Sequence, residues 1–169
     1  MLGWAGRDRT CECWDQNPVP YHLATAQSPL ILPQIPLIRN ICYNISMTIF
    51  EKIISGEIPC YKIYEDEKTF AFLDISPETT GHTLVVPKLP IDKIYDLPDE
   101  DYIALFATVK KVAQRMEEVF GTRALLKVVG TDVPHAHVHV THLDPSWEHG
   151  KTLSLTPEEM QSIADQLKF

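Results

Sequence analysis

The stretch Pro134-His135-Ala136-His137-Val138-His139-Val140-Thr141-His142 holds four of the seven histidines of the chain. Side chains alternate across a strand, so His135, His137 and His139 share one face, while Ala136, Val138 and Val140 turn to the other, into a core. Groups that titrate near neutrality are thereby gathered in one row. Two chemistries can use such a row. Neutral imidazoles can ligate zinc, which takes three or four ligands in a tetrahedral array. Successive alternate positions lie roughly 7 Å apart along a strand, which is awkward for three ligands of one ion. Nothing in the spacing singles out Glu148, His149 or Cys60 to complete such a set. In the second chemistry one imidazole attacks an electrophile while its neighbours handle protons and charge. Phosphorus suits that case, because the P–N bond formed is labile enough for water to cleave.

The elements that must position this row can be read from periodicity and punctuation. Ile49–Ile54 suits a short helix ended by Gly56. Tyr61–Tyr64 and Thr69–Ile75 read as strands joined by the polar turn Glu65–Lys68, a hairpin. His82–Pro87 is a third strand. Asp99-Glu100-Asp101 opens a long helix at its positive dipole end. Its buried stripe is Tyr102, Leu105, Phe106, Val109, Val112, Ala113, Met116, Val119 and Phe120, and Gly121 stops it. Ala124–Val129 and Ala136–Thr141 are the fourth and fifth strands. Thr156-Pro157-Glu158-Glu159 is a capping box with Pro at the first helical position, and Leu155 and Met160 sit where a hydrophobic staple would close. The order α-β-β-β-α-β-β-α predicts an α+β domain: a mainly antiparallel five-stranded sheet with a short N-terminal helix, one long helix and a C-terminal helix.

The triad strand, Ile49–Pro59, Tyr64–Glu67, Ala71–Ile75 and Gly81–Lys88 together resemble the histidine-triad (HIT) family of nucleotide hydrolases and transferases. The resemblance covers about residues 47–145. It implies a role for each matching position. His137 would be the nucleophile that takes up the nucleotidyl group. His139 would contact the phosphate and help the leaving group depart. The backbone carbonyl of His135 would accept from His137 Nδ1 and leave Nε2 free to attack. His82 matches a further histidine near the triad, and Asp74 the carboxylate that binds the ribose hydroxyls. Ile49, Phe50, Ile53, Phe72 and Ile75 match the apolar wall around the base.

The chain departs from the family just before the triad. Many members carry Gln and then Ser or Thr there, near the phosphate; this chain has Gly130-Thr131-Asp132-Val133-Pro134. Thr131 keeps a hydroxyl, whereas Asp132 brings an acceptor where a donor is usual, which bears on substrate choice more than on chemistry. The loop into the triad is also short, so an Asn used by some branches has no clear counterpart. Leu143–Gly150 is expected to cover the leaving-group side, with Lys151 the base that follows it.

Composition bounds the partners. The net charge is −8, which argues against general nucleic-acid binding. No apolar run approaches the roughly 18 residues of a membrane span. All the excess charge lies in residues 47–169, with 20 acidic and 12 basic residues; residues 1–46 carry three of each and five of the 13 prolines. That first segment has no helix or strand period and no continuous apolar stretch of the kind a signal peptide needs. Back-translation of Cys13–Val19 permits, on the opposite strand, CTGGG-TTTTGAT-CCCAG, a stem and loop with TTG at an anticodon position. Pro20–Ala24 and Arg7–Cys11 permit a D-arm and a T-arm in the right order. Residues 1–46 are therefore expected to be an over-called start on the antisense strand of a glutamine tRNA gene, or a disordered extension. The HIT domain would run 47–169 from a natural Met47.

The expected function is a cytoplasmic, homodimeric phosphoramidase-like hydrolase. It would cleave purine nucleotide derivatives (phosphoramidates, aminoacyl-adenylates or dinucleoside polyphosphates) at the α-phosphorus, with no cofactor and no metal. The alternatives are a zinc-dependent hydrolase using the same histidines and a nucleotide-binding scaffold with weak turnover.

Overall fold

The structure, a computed structural model, describes residues 47–145 and 151–169. The elements are α1 (Ile49–Ile54), β1 (Lys62–Glu65), β2 (Thr69–Leu73), β3 (Thr83–Pro87), a 3₁₀ turn at Ile94–Asp96, α2 (Asp99–Phe120), β4 (Ala124–Lys127), β5 (Val138–His142) and α3 (Pro157–Leu167). The sheet is five-stranded in the order β1-β2-β3-β5-β4, with every neighbouring pair antiparallel. Fold class, element order and the β1–β2 hairpin are as the sequence predicts. Asp66 builds the hairpin turn: its Oδ1 accepts from the backbone N–H of Lys68 and Thr69 and from Thr69 Oγ1.

Both faces of the central strands are covered, so β2 and β3 are buried along their whole length rather than alternating. On one face Ala71, Leu73, Val85, Val138 and Val140 meet Leu105, Val109, Val112 and Met116 of α2 and Met160 and Leu167 of α3. On the other, Phe70, Phe72, Leu84 and Val86 pack beneath Phe50 of α1. The capping box at α3 is present as predicted, with Thr156 and Glu159 closing on each other's backbone N–H. Leu155 packs against the core beside the buried Met160, the staple the sequence suggests.

Several boundaries and packing positions differ from the sequence reading. β5 starts at Val138, not Ala136, and β4 stops at Lys127, not Val129. Pro134 has no N–H to give a ladder, and the Ala136 N–H is taken by Ile91 O at 2.7 Å, from the segment after β3. His135 and His137 therefore lie on extended chain leading into β5. Tyr102 is 42% exposed, because α2 has not yet come over the sheet there. Thr108 is buried in the stripe instead, its hydroxyl hydrogen-bonded to Thr69 Oγ1 at 2.8 Å. A second capping box, Thr48 with Glu51, starts α1 and was not read from the sequence. Residues 1–46, the expected extension, lie outside the described residues, as do Glu148 and His149 with the rest of 146–150.

Candidate active site

A cavity of about 310 Å³ opens between α1, the end of β2 and the chain entering β5. Its lining includes nine of the residues singled out above: Ile49, Phe50, Ile53, Phe72, Asp74, Ile75, Asp132, His137 and His139. Phe50 and Phe72 meet edge-to-face at 5.8 Å, and Phe50 stands over the His137 ring at 5.2 Å. Ile75 is 79% exposed and forms the rim rather than the wall. Leu84, Ile58, Pro59, Cys60 and Val133 also line the cavity. They carry no signal of their own in the sequence, because each looks like ordinary core or loop. Burial pushes the Cys60 thiol pKa up, away from the reactive thiolate.

The proton positions of four histidines follow from their partners. Carbonyl oxygens only accept, so His137 Nδ1–H donates to His135 O at 2.7 Å and Nε2 keeps its lone pair. His135 Nε2–H donates to Pro87 O at 2.9 Å, and its Nδ1 therefore accepts from Thr48 Oγ1 at 3.3 Å. The His135 ring is 1% exposed and serves as a strut between α1 and the end of β3. On the other side, the backbone N–H of Glu78 donates to His82 Nδ1 at 3.2 Å. His82 Nε2–H then donates to His139 Nδ1 at 3.0 Å, which leaves His139 with its proton on Nε2. The His137 and His139 rings are 5.0 Å apart. The pair thus offers a bare nitrogen beside an N–H donor, an arrangement suited to attack phosphorus and hydrogen-bond what leaves.

Burial favours the neutral forms of His139, His82 and His135. Burial, helped by His82, His137 and Lys127, pulls the His139 pKa down to about 4. Burial also lowers the pKa of His82 and of His135. Asp74 lies behind His82, with Oδ2 3.6 Å from its Nδ1, while Asp74 Oδ1 accepts from Ser76 N at 2.9 Å. By donor type, Asp74, His82 and His139 are a group that could hold a cation. The fit is poor, since the facing nitrogens of His82 and His139 are engaged with each other.

Thr131 is not brought to the cavity. Its hydroxyl donates to Asp132 Oδ1 at 3.1 Å, and it lines a neighbouring cavity of about 370 Å³ beside Lys93 and Tyr95, which shares the His137 ring with the first. Sequence reasoning also missed Lys127, which sits opposite His139 in the β4–β5 register and pairs with Glu78. A lysine in a short strand looks like a solvated edge residue until that register is known.

The HIT domain family matches residues 55–145 of this chain. The chain belongs to the HIT family. The protein named Protein hit of Bacillus subtilis is 36% identical over 134 residues, covering 70% of this chain and 90% of that one. An adenosine 5′-monophosphoramidase of Schizosaccharomyces pombe is 32% identical over 126 residues, 70% of this chain and 94% of that one. Among solved HIT structures, a Hit-like protein from Bartonella henselae superposes with a TM-score of 0.65 at 28% identity, covering 72% of this chain and 93% of that one. A zinc-bound histidine triad family protein from Mycobacterium smegmatis gives 0.61 at 28% identity, with 71% and 89% covered. No helix among the described residues is long and apolar enough to cross a membrane.

Proposed function

We propose that this HIT-family chain is a hydrolase that splits a bond at the α-phosphorus of a purine nucleotide derivative through a covalent nucleotidyl-His137 intermediate. One observation supports the reading above all: the hydrogen bond from His137 Nδ1–H to His135 O, which leaves Nε2 unprotonated on a ring that lines the cavity. His137 Nε2 attacks phosphorus, the bond to the leaving group breaks, and the leaving group departs with the electron pair, hydrogen-bonded by His139 Nε2–H and taking its proton from solvent. Water then attacks phosphorus, the P–N bond breaks, His137 Nε2 recovers its lone pair and the proton of the water is released to solvent. His82 orients His139, and His135 supplies the acceptor that orients His137. The base lies against Ile49, Phe50, Ile53 and Phe72 with Ile75 at the rim, and Asp74 takes the ribose hydroxyls. Asp132, at the cavity edge, biases the phosphate side against additional negative charge close to His137.

The domain runs from Met47 to Phe169 and works in the cytoplasm as a homodimer. β4 is an edge strand whose Leu125 and Leu126 are 42% and 52% exposed, the kind of edge that pairs with a second copy. The test is a substrate panel (adenosine phosphoramidate, an aminoacyl-adenylate mimic and diadenosine polyphosphates) assayed with and without chelator, with single-turnover trapping of a labelled protein. Chelator-resistant turnover through a His137-linked nucleotide supports the proposal. Turnover abolished by chelator and restored by zinc favours the metal-dependent alternative, and tight nucleotide binding with no turnover favours a scaffold.

A further inference from the structure

Two cavities flank the His139–Lys127 cross-strand pair. The first holds His137, His139 and the proposed base wall. The second, of about 290 Å³, lies on the Lys127 side and is lined by Glu78, Thr79, Leu125, Lys127, Thr141 and Leu143 among others. The register continues one face of the sheet into it: Lys127 lies opposite His139, and Leu125 opposite Thr141 two residues further on. This second space is the one a leaving group would reach by departing on the Lys127 side of His139. Behind its wall Thr79 is 3% exposed, its hydroxyl buried and without a hydrogen-bond partner among the described residues.

We infer that Lys127 is a specificity-determining residue that selects leaving groups bearing a negative charge of their own, with Glu78 as the counter-ion it releases to them. The inference rests on the hydrolase reading of the same site and deepens it. Lys127 Nζ is ion-paired with Glu78 Oε2, and the lysine holds the Glu78 carboxyl below its ordinary pKa. The Lys127 side chain is 38% exposed, so its ammonium can exchange that partner for a carboxylate or phosphate arriving in the cavity. Leu125 and Leu143 leave room there for an apolar body attached to the anion. Glu78 keeps its second task in either state, since the backbone N–H that anchors His82 is independent of its side chain.

The experiment compares kcat/KM for three adenosine substrates that share one nucleotidyl group. The leaving groups are ammonia, an N-linked amino acid with a free carboxylate, and a nucleotide joined through phosphate. In Lys127→Met, the ratio of the charged substrates to the ammonia substrate should fall about tenfold or more. In Glu78→Gln, which removes the counter-charge of the lysine, the same ratio should rise. A change confined to the carboxylate substrate identifies a carboxylate as the anion, one confined to the nucleotide substrate identifies a phosphate, and either supports the inference. An equal loss on all three substrates overturns it and leaves the hydrolase reading standing, because Lys127 would then act only through His139 or the fold. Failure of the unaltered protein to turn over any of the three overturns the hydrolase reading and this inference with it.

Discussion

His82 and His139 share one proton across 3.0 Å, and its direction is set from outside the pair by the Glu78 amide. A backbone N–H cannot be an acceptor, so His82 Nδ1 must be one, and the order of donors then runs one way to His139 Nε2. His82→Asn should disturb that order without touching the base wall. A slowed chemical step, on the order of 10–100-fold, is expected with nucleotide affinity held within a few-fold. Single-turnover rates and equilibrium binding separate the two, and equal loss in both would show that His82 merely holds the pocket together.

The triad should divide its labour unevenly. His137→Ala should abolish the covalent intermediate while binding persists through Phe50, Ile53, Phe72 and Asp74. His139→Ala should slow turnover by about 10²–10⁴-fold. His135→Ala keeps the carbonyl that orients His137, so its cost should appear in stability, at about 1–3 kcal/mol, because Thr48 Oγ1 and Pro87 O lose their partner. Urea midpoints and single-turnover rates measured on the same three variants test this ordering. Three equal losses accompanied by release of bound zinc would overturn it.

Acid should destabilise the domain over a defined window. His139 titrates near 4 in the fold against about 6.5 when unfolded, and His82 and His135 are shifted in the same direction. The unfolded chain therefore binds more protons between these limits. The stability from keeping these rings neutral is full above about pH 6.5 and is lost as pH falls toward 4. Thermal midpoints should drop across that interval, and the drop should shrink in His139→Gln. A midpoint flat from pH 7 to 4.5 would contradict the burial argument.

Gly81 should tolerate no side chain. Its φ is +77°, and a Cβ there would lie 2.7 Å from the Phe120 ring. Gly81→Ala is expected to cost about 1–3 kcal/mol and to disturb the Phe120–His142 stack at 4.5 Å. Denaturant unfolding checks the first effect, and the line widths of the His142 ring protons the second.

A chain beginning at Met47 should fold and turn over like the full chain. α1 closes its own N-terminus through Thr48 and Glu51, so its first turn asks nothing of residues further upstream. Circular dichroism and the substrate panel decide this. Loss of folding on truncation would count against the proposed boundary.

What was legible in the sequence was whatever local pattern dictates. Alternation put His135, His137 and His139 on one side, the caps marked α3, and motif resemblance gathered Phe50 of α1, Phe72 of β2 and Asp74 just after β2. Pairings that depend on register were not legible. Lys127 lies opposite His139 through the β4–β5 register, which residue types do not disclose. The Thr48 box was missed because it lies two residues from the apparent domain edge. The hold of Glu78 on His82 resides in its amide, and a main-chain donor leaves no trace in residue type.

The link from Thr48 to His135 has a consequence for the order in which the molecule opens. α1 has six residues and one buried side chain, Phe50, too short to persist unsupported. Its attachments to the sheet include the Phe50 ring contacts, the partly buried Ile53 and Ile54, and the hydroxyl bond from its cap to the triad's first ring. Amide hydrogen exchange should therefore be fast in α1 and slow in β2 and β3, with the difference closing when a base fills the space beneath Phe50. The wall of the pocket is then its least durable part when empty, and the nucleotide itself completes the local fold.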